Sequence, residues 1–121
     1  MKNTFVLLFG IAAFSQAFAA GTDICGGQPT AHDATAAVVA STDAAPAFVV
    51  NAFTPKCSAN VYLAYEQDAT AFAVGAASAK GKNVFSGSTN GGGVTSTAAC
   101  AAATCAASDA TGATADRLAG S

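Results

Sequence analysis

Cys57-Ser-Ala-Asn-Val-Tyr-Leu-Ala-Tyr-Glu-Gln-Asp-Ala-Thr-Ala-Phe-Ala-Val-Gly75, continuing through Asn83-Val84-Phe85 to Asn90-Gly91-Gly92-Gly93-Val94, is the stretch with clear alternation, turn residues and both tyrosines. In Asn60–Gln67, Val61, Leu63 and Tyr65 share one face, and Tyr62, Ala64 and Glu66 share the other, as a period of two requires. The Leu63 face is the expected core side. Glu66-Gln67-Asp68 reads as a hairpin corner. In the next strand Thr70, Phe72 and Val74 line one face, while Ala71, Ala73 and Gly75 leave the other almost bare. Lys80-Gly81-Lys82-Asn83 is a polar turn, and Val84-Phe85 opens a third strand. The expected fold is mainly β: a small antiparallel meander of three to four strands, enough to be independently stable with one packed face. The fourth candidate is Ala47–Phe53, β-branched and aromatic with Pro46 and Pro55 on its flanks.

A face of Ala and Gly lets another backbone come close, because nothing protrudes. It suits a second sheet, a helix, another subunit or a covering loop. Tyr62, beside the flat Ala64, is a possible contact surface for a partner or a sugar ring.

Upstream, residues 1–19 have the anatomy of a secretory signal peptide. Lys2 supplies the positive end, Phe5–Phe14 an apolar run, and Ala17-Phe18-Ala19 a cleavage site, so the mature chain is expected to begin at Ala20. The apolar run is too short to span about 30 Å of hydrocarbon, and no membrane span is expected in the mature part. Cys25 follows Thr22-Asp23-Ile24, which is no lipobox. Ser15 stands five residues after Gly10, where a type IV prepilin needs Glu.

Residues 20–94 are expected as the small β domain, with an irregular Ala-rich N-terminal segment. Residues 32–42 carry conflicting signals: Ala favours helix, and Thr35, Val38 and Val39 favour strand; a strand or extended segment is the preferred reading. Ser86–Thr97 reads as a flexible linker, with Asn90-Gly91 a turn if Val94-Thr95 returns as a strand. Residues 95–121, Ala/Thr/Ser-rich, are expected as a flexible C-terminal tail, apart from a clasp between its cysteines.

Composition narrows the function. In residues 20–121, Leu, Ile, Val and Phe number about 15 of 102, and alanine makes up about a quarter of the whole chain. Lys56, Lys80, Lys82 and Arg117 stand against Asp23, Asp33, Asp43, Glu66, Asp68, Asp109 and Asp116, a balance of −3. A basic nucleic-acid footprint and a polybasic membrane patch are both absent. Sparse charge also does little to keep copies apart.

All four cysteines, Cys25, Cys57, Cys100 and Cys105, fall in the mature part. An even count in a small exported domain implies two disulfides, and sequence leaves three pairings open. The preferred pairing is Cys25 with Cys57 and Cys100 with Cys105, one bridge across the N-terminal half and one local clasp. A four-thiolate metal site is disfavoured: the close spacing is C-x4-C, with no C-x-x-C.

Catalytic readings lack partners. His32-Asp33 with Ser78, Ser86 or Ser88 would be a hydrolase triad, but there is no G-x-S-x-G elbow, and adjacent residues on an extended chain point apart. Glu66 and Asp68 are a close acidic pair at a turn, where solvated charges belong. Gly75–Lys82 fails the phosphate-loop spacing. The reading is therefore a non-enzymatic protein with no cofactor and no metal, exported to the periplasm or outside the cell. Its role is expected to be structural or self-associating at the envelope. The alternative is a periplasmic or secreted binding module, an accessory protein or inhibitor, using the Tyr62 side or a loop near Gln67.

Overall fold

The structure, a computed structural model, describes residues 21–91 and 93–119; the expected signal peptide lies outside them. The elements are β1 (Thr22–Gly26), β2 (His32–Asp33), β3 (Lys56–Cys57), β4 (Val61–Gln67), β5 (Phe72–Ser78), β6 (Asn83–Ser88), β7 (Thr95–Ala99) and α1 (Ala107–Ala119). The main sheet has the order β1-β4-β5-β6-β7, antiparallel throughout, and β2 pairs with β3 in a second, two-stranded sheet. The expected meander is present as β4-β5-β6, and the mainly β, disulfide-stapled class holds.

Local chemistry sets the turns. The Asp68 carboxylate accepts the Thr70 amide at 2.7 Å, the Thr70 hydroxyl at 2.8 Å and the Ala71 amide at 2.8 Å, an Asx-type corner. Asn60 enters β4 at φ 59°, a conformation that Asn adopts more readily than most residues. The second turn closes with the Gly81 amide on the Ser78 carbonyl at 2.8 Å.

The strand expected at Ala47–Phe53 is not part of any ladder. Within 38–53 the antiparallel bridging is confined to Val38 with Phe53. The place beside β4 is taken instead by β1, which the Cys25–Cys57 bridge ties down, while Pro46 and Pro55 confine the extended run to a loop. The 32–42 region is mostly irregular, with a short strand at His32–Asp33 and an isolated bridge at Val38.

Residues 95–121, expected as a tail, supply β7 and α1. The reason is the bare sheet face. The register aligns Ala64 with Gly75 and Gly75 with Ser86. Ala64, Ala73, Ala77, Val84 and Ser86 are buried, as are Ala110, Ala113 and Thr114 of the helix. Small residues on both sides let α1 lie close to the strands. The opposite face, carrying Leu63, Tyr65, Phe72 and Val74, packs with Ile24, Val38, Val49 and the Cys25–Cys57 bridge. The sheet is therefore the middle of three layers, between α1 and the 27–57 segment.

Helix α1 is capped by Asp109, whose carboxylate accepts the Ala106 amide at 2.8 Å and the Ala101 amide at 3.1 Å. The first is the reciprocal half of a capping box. At the other end Arg117 donates from Nε to the buried Ser86 hydroxyl at 3.1 Å and from its guanidinium to the Thr95 hydroxyl, and Ser86 also bonds Thr97 at 2.6 Å. These bonds tie α1 to β6 and β7.

Candidate functional site

The bridges are Cys25–Cys57 and Cys100–Cys105, the preferred pairing. The two sulfurs of the second and an Asp109 oxygen lie within 4.8 Å of one another. The sulfurs are joined and the carboxylate takes two amides, so this is a helix cap and offers no thiolate ligand.

Of the expected contact pair, Tyr62 is half-buried and Ala64 is buried. Ala64 is 0 % exposed beneath α1, because its flat neighbourhood is what admits the helix. Tyr62 lays its ring over Gly27: a Cβ there would fall 2.4 Å from the ring, and Gly27 has φ +69°. The position thus requires glycine on two counts.

The catalytic candidates are dispersed. His32 Nδ1 lies 2.9 Å from the Thr30 carbonyl. A carbonyl only accepts, so Nδ1 carries the proton. Nε2 is buried with no partner among the described residues. Asp33 pairs with Lys56 at the surface. Ser86 is held by Thr97 and Arg117, and Ser78 accepts the Lys80 amide at 3.2 Å. Glu66 and Asp68 are driven apart electrostatically. Burial raises the Glu66 pKa, with the Asp68 charge adding to it against a hydrogen bond from Thr114. Bonds from the Thr70 amide and hydroxyl hold Asp68 below its ordinary value.

What stands out is apolar. Among the described residues, Val39, Phe48, Val50, Phe53, Phe85 and Val94 are the large exposed hydrophobics, and four of them sit on one loop, 38–53. That loop is braced from the sheet. Gln67 Nε2 donates to the Val39 carbonyl at 2.9 Å, and its Oε1 accepts the Val49 amide at 3.1 Å. The Tyr65 hydroxyl accepts the Val39 amide at 3.3 Å and donates to the Ala37 carbonyl at 3.4 Å. Tyr65 is itself fixed by stacking on Phe72, ring centroids 5.6 Å apart. Within the loop, the Ser41 amide bonds the Val49 carbonyl at 2.7 Å. The result is a rigid knob with Val50, 78 % exposed, and Phe48, 44 % exposed. Asp43 is its one charge between Asp33 and Lys56.

The same sheet face carries a groove at its other end. Val61, Ala76, Ser78, Lys82, Asn83 and Phe85 line an open depression of about 280 Å³. Register places Leu63, Ala76 and Phe85 in one row, on the side that packs the 38–53 loop. The groove lies at the Val61 end of β4 and the brace at the Gln67 end, about 20 Å apart at the usual strand rise.

Compared with family models, characterised proteins and solved structures, the chain matches none. No helix among the described residues is long and apolar enough to cross a membrane.

Sequence reading found the apolar run 47–53 but placed it in the sheet. The signal that it is a presented loop lay in Pro46 and Pro55. The partner that braces it, Gln67, has the sequence context of a turn residue.

Proposed function

We propose that the chain is an exported, non-enzymatic structural protein that associates with copies of itself at the cell envelope or outside the cell. The observation that carries this reading is the braced 38–53 loop, which holds Val39, Phe48, Val50 and Phe53 out to solvent. Ordering the loop beforehand lowers the entropic cost of using it in an interface. Exposed contiguous apolar surface marks interaction sites, and the sparse charge offers little repulsion between copies. Two disulfides suit an oxidising compartment, as does the signal-like N-terminus.

The test is sedimentation velocity on the oxidised protein, exported from an expressing bacterial host with its own leader, over rising concentration. A sedimentation coefficient that climbs supports the reading; one fixed at the single-chain value overturns it. The fixed value would favour the second reading, a binding module for an envelope partner, for which the same braced loop is the contact surface.

A further inference from the structure

We infer that the contact between copies is head-to-tail: the Phe48–Val50 knob of one copy seats in the Val61–Ala76–Phe85 groove of the next, with Asp43 facing Lys82. This rests on the self-association proposed above and specifies its geometry.

Three observations point to a second copy as the occupant. The first is the shape and apolarity of the groove. The groove is an open depression of about 280 Å³ with an apolar floor of Val61, Ala76 and Phe85, a fit for inserted apolar side chains. The second is charge. Asp43 is the single charge of the knob loop, held in the turn closed between Thr42 and Ala45 at 3.1 and 3.2 Å, while Lys82 lines the groove and Lys80 stands in the same turn. Opposite signs at the two rims steer knob to groove and disfavour knob against knob. The third is placement. Knob and groove lie on one sheet face at opposite ends of β4, so a copy seated in the groove leaves its own groove free. Such a heterologous contact closes into a ring or grows as a filament.

Edge-to-edge strand pairing is the competing geometry, and both edges are blunted. The β1 ladder shifts register between Asp23 and Cys25, and the β6–β7 ladder between Val84 and Phe85. Bulges of this kind turn an edge away from further pairing. The Ile24 carbonyl on β1 is also taken by the Thr35 amide at 3.0 Å.

The test uses two variants at exposed positions, Val50→Asp in the knob and Phe85→Glu in the groove. Each alone is expected to stay at one chain by light scattering. Mixed in equal amounts they are expected to give a two-chain species that grows no further, because one supplies the only working knob and the other the only working groove. Charge reversal provides a second route that leaves the apolar contacts intact. Asp43→Lys and Lys82→Asp should each weaken association, roughly fivefold on the scale of a rim ion pair, and the double reversal should restore it. If wild type associates and Phe85→Glu associates equally well, the groove is not the site and the head-to-tail geometry fails, while self-association stands. If wild type never exceeds one chain, the underlying reading fails with it.

Discussion

The carbonyl oxygen of Ala110 lies where a side chain on Gly75 would have to go: a Cβ built there falls 2.2 Å from it. That approach limits the spacing between helix and sheet. Gly75→Ala must push back the backbone of α1, and overpacking of this kind costs about 1–3 kcal/mol. Urea unfolding should show the loss. Gly112→Ala, on the helix and with nothing within 4 Å of its new Cβ, should instead stabilise by about 0.4–1 kcal/mol through helix propensity and a less mobile unfolded chain.

The two disulfides should differ in worth. Cys25–Cys57 closes a sequence separation of 32 and Cys100–Cys105 one of 5. The chain-entropy relation gives about 3.5–4 kcal/mol for the longer loop and about 2 for the shorter. Paired Cys→Ser variants compared by chemical denaturation should rank in that order. The shorter bridge also holds the start of α1 against Ala77 and Val84, so its loss should lower helical content before the β signal falls.

Acid should act in two opposed ways. Glu66 has its pKa raised by burial first and by Asp68 next, so its protonated form favours the fold. Its contribution is present below its ordinary value of 4.5 and is lost as pH rises through the raised value. Asp68 and Asp109 are held low by hydrogen bonds, from Thr70 first and from Ala106 first. Their contribution is present above the ordinary 3.8 and lost as pH falls. Melting temperature against pH should therefore show Glu66→Gln gaining near neutrality and nothing at about pH 3. Asp109→Asn should lose near neutrality and converge with wild type in acid.

Gln67 is predicted to hold the knob without holding the fold. Gln67→Ala removes both loop bonds, each worth about 1 kcal/mol. Hydrogen exchange at the Val49 amide should rise roughly tenfold, with amides of β5 unchanged. Association should weaken in parallel, because the loop then pays its ordering cost on contact.

Much of the sheet was legible because β4 and β5 alternate cleanly and their turns carry Asp68 and Gly81. The bare Ala71-Ala73-Gly75 face was legible, but its alternation reads more readily as small residues under a loop than as a seat for a helix. Its occupant was not legible. α1 has almost no large apolar residue, with Leu118 the sole large aliphatic, so its affinity for the sheet lies in small residues meeting small residues, which hydrophobic periodicity does not register. The knob was misplaced for the converse reason. Phe48, Val49, Val50 and Phe53 carry strong strand propensity, but propensity does not count the neighbours available, and β1 had already filled the place beside β4. Ala64 is withdrawn from the surface because flatness draws in the chain's own helix, while Tyr62 stays half-buried over Gly27.

The most direct measurement is the molar mass of the oxidised protein by light scattering after size exclusion, wild type beside Val50→Asp, across a wide concentration range. The account predicts a wild-type mass that climbs above one chain while Val50→Asp, altered at a site 78 % exposed and so folded alike, remains at one chain. Equal masses fixed at one chain for both would contradict it.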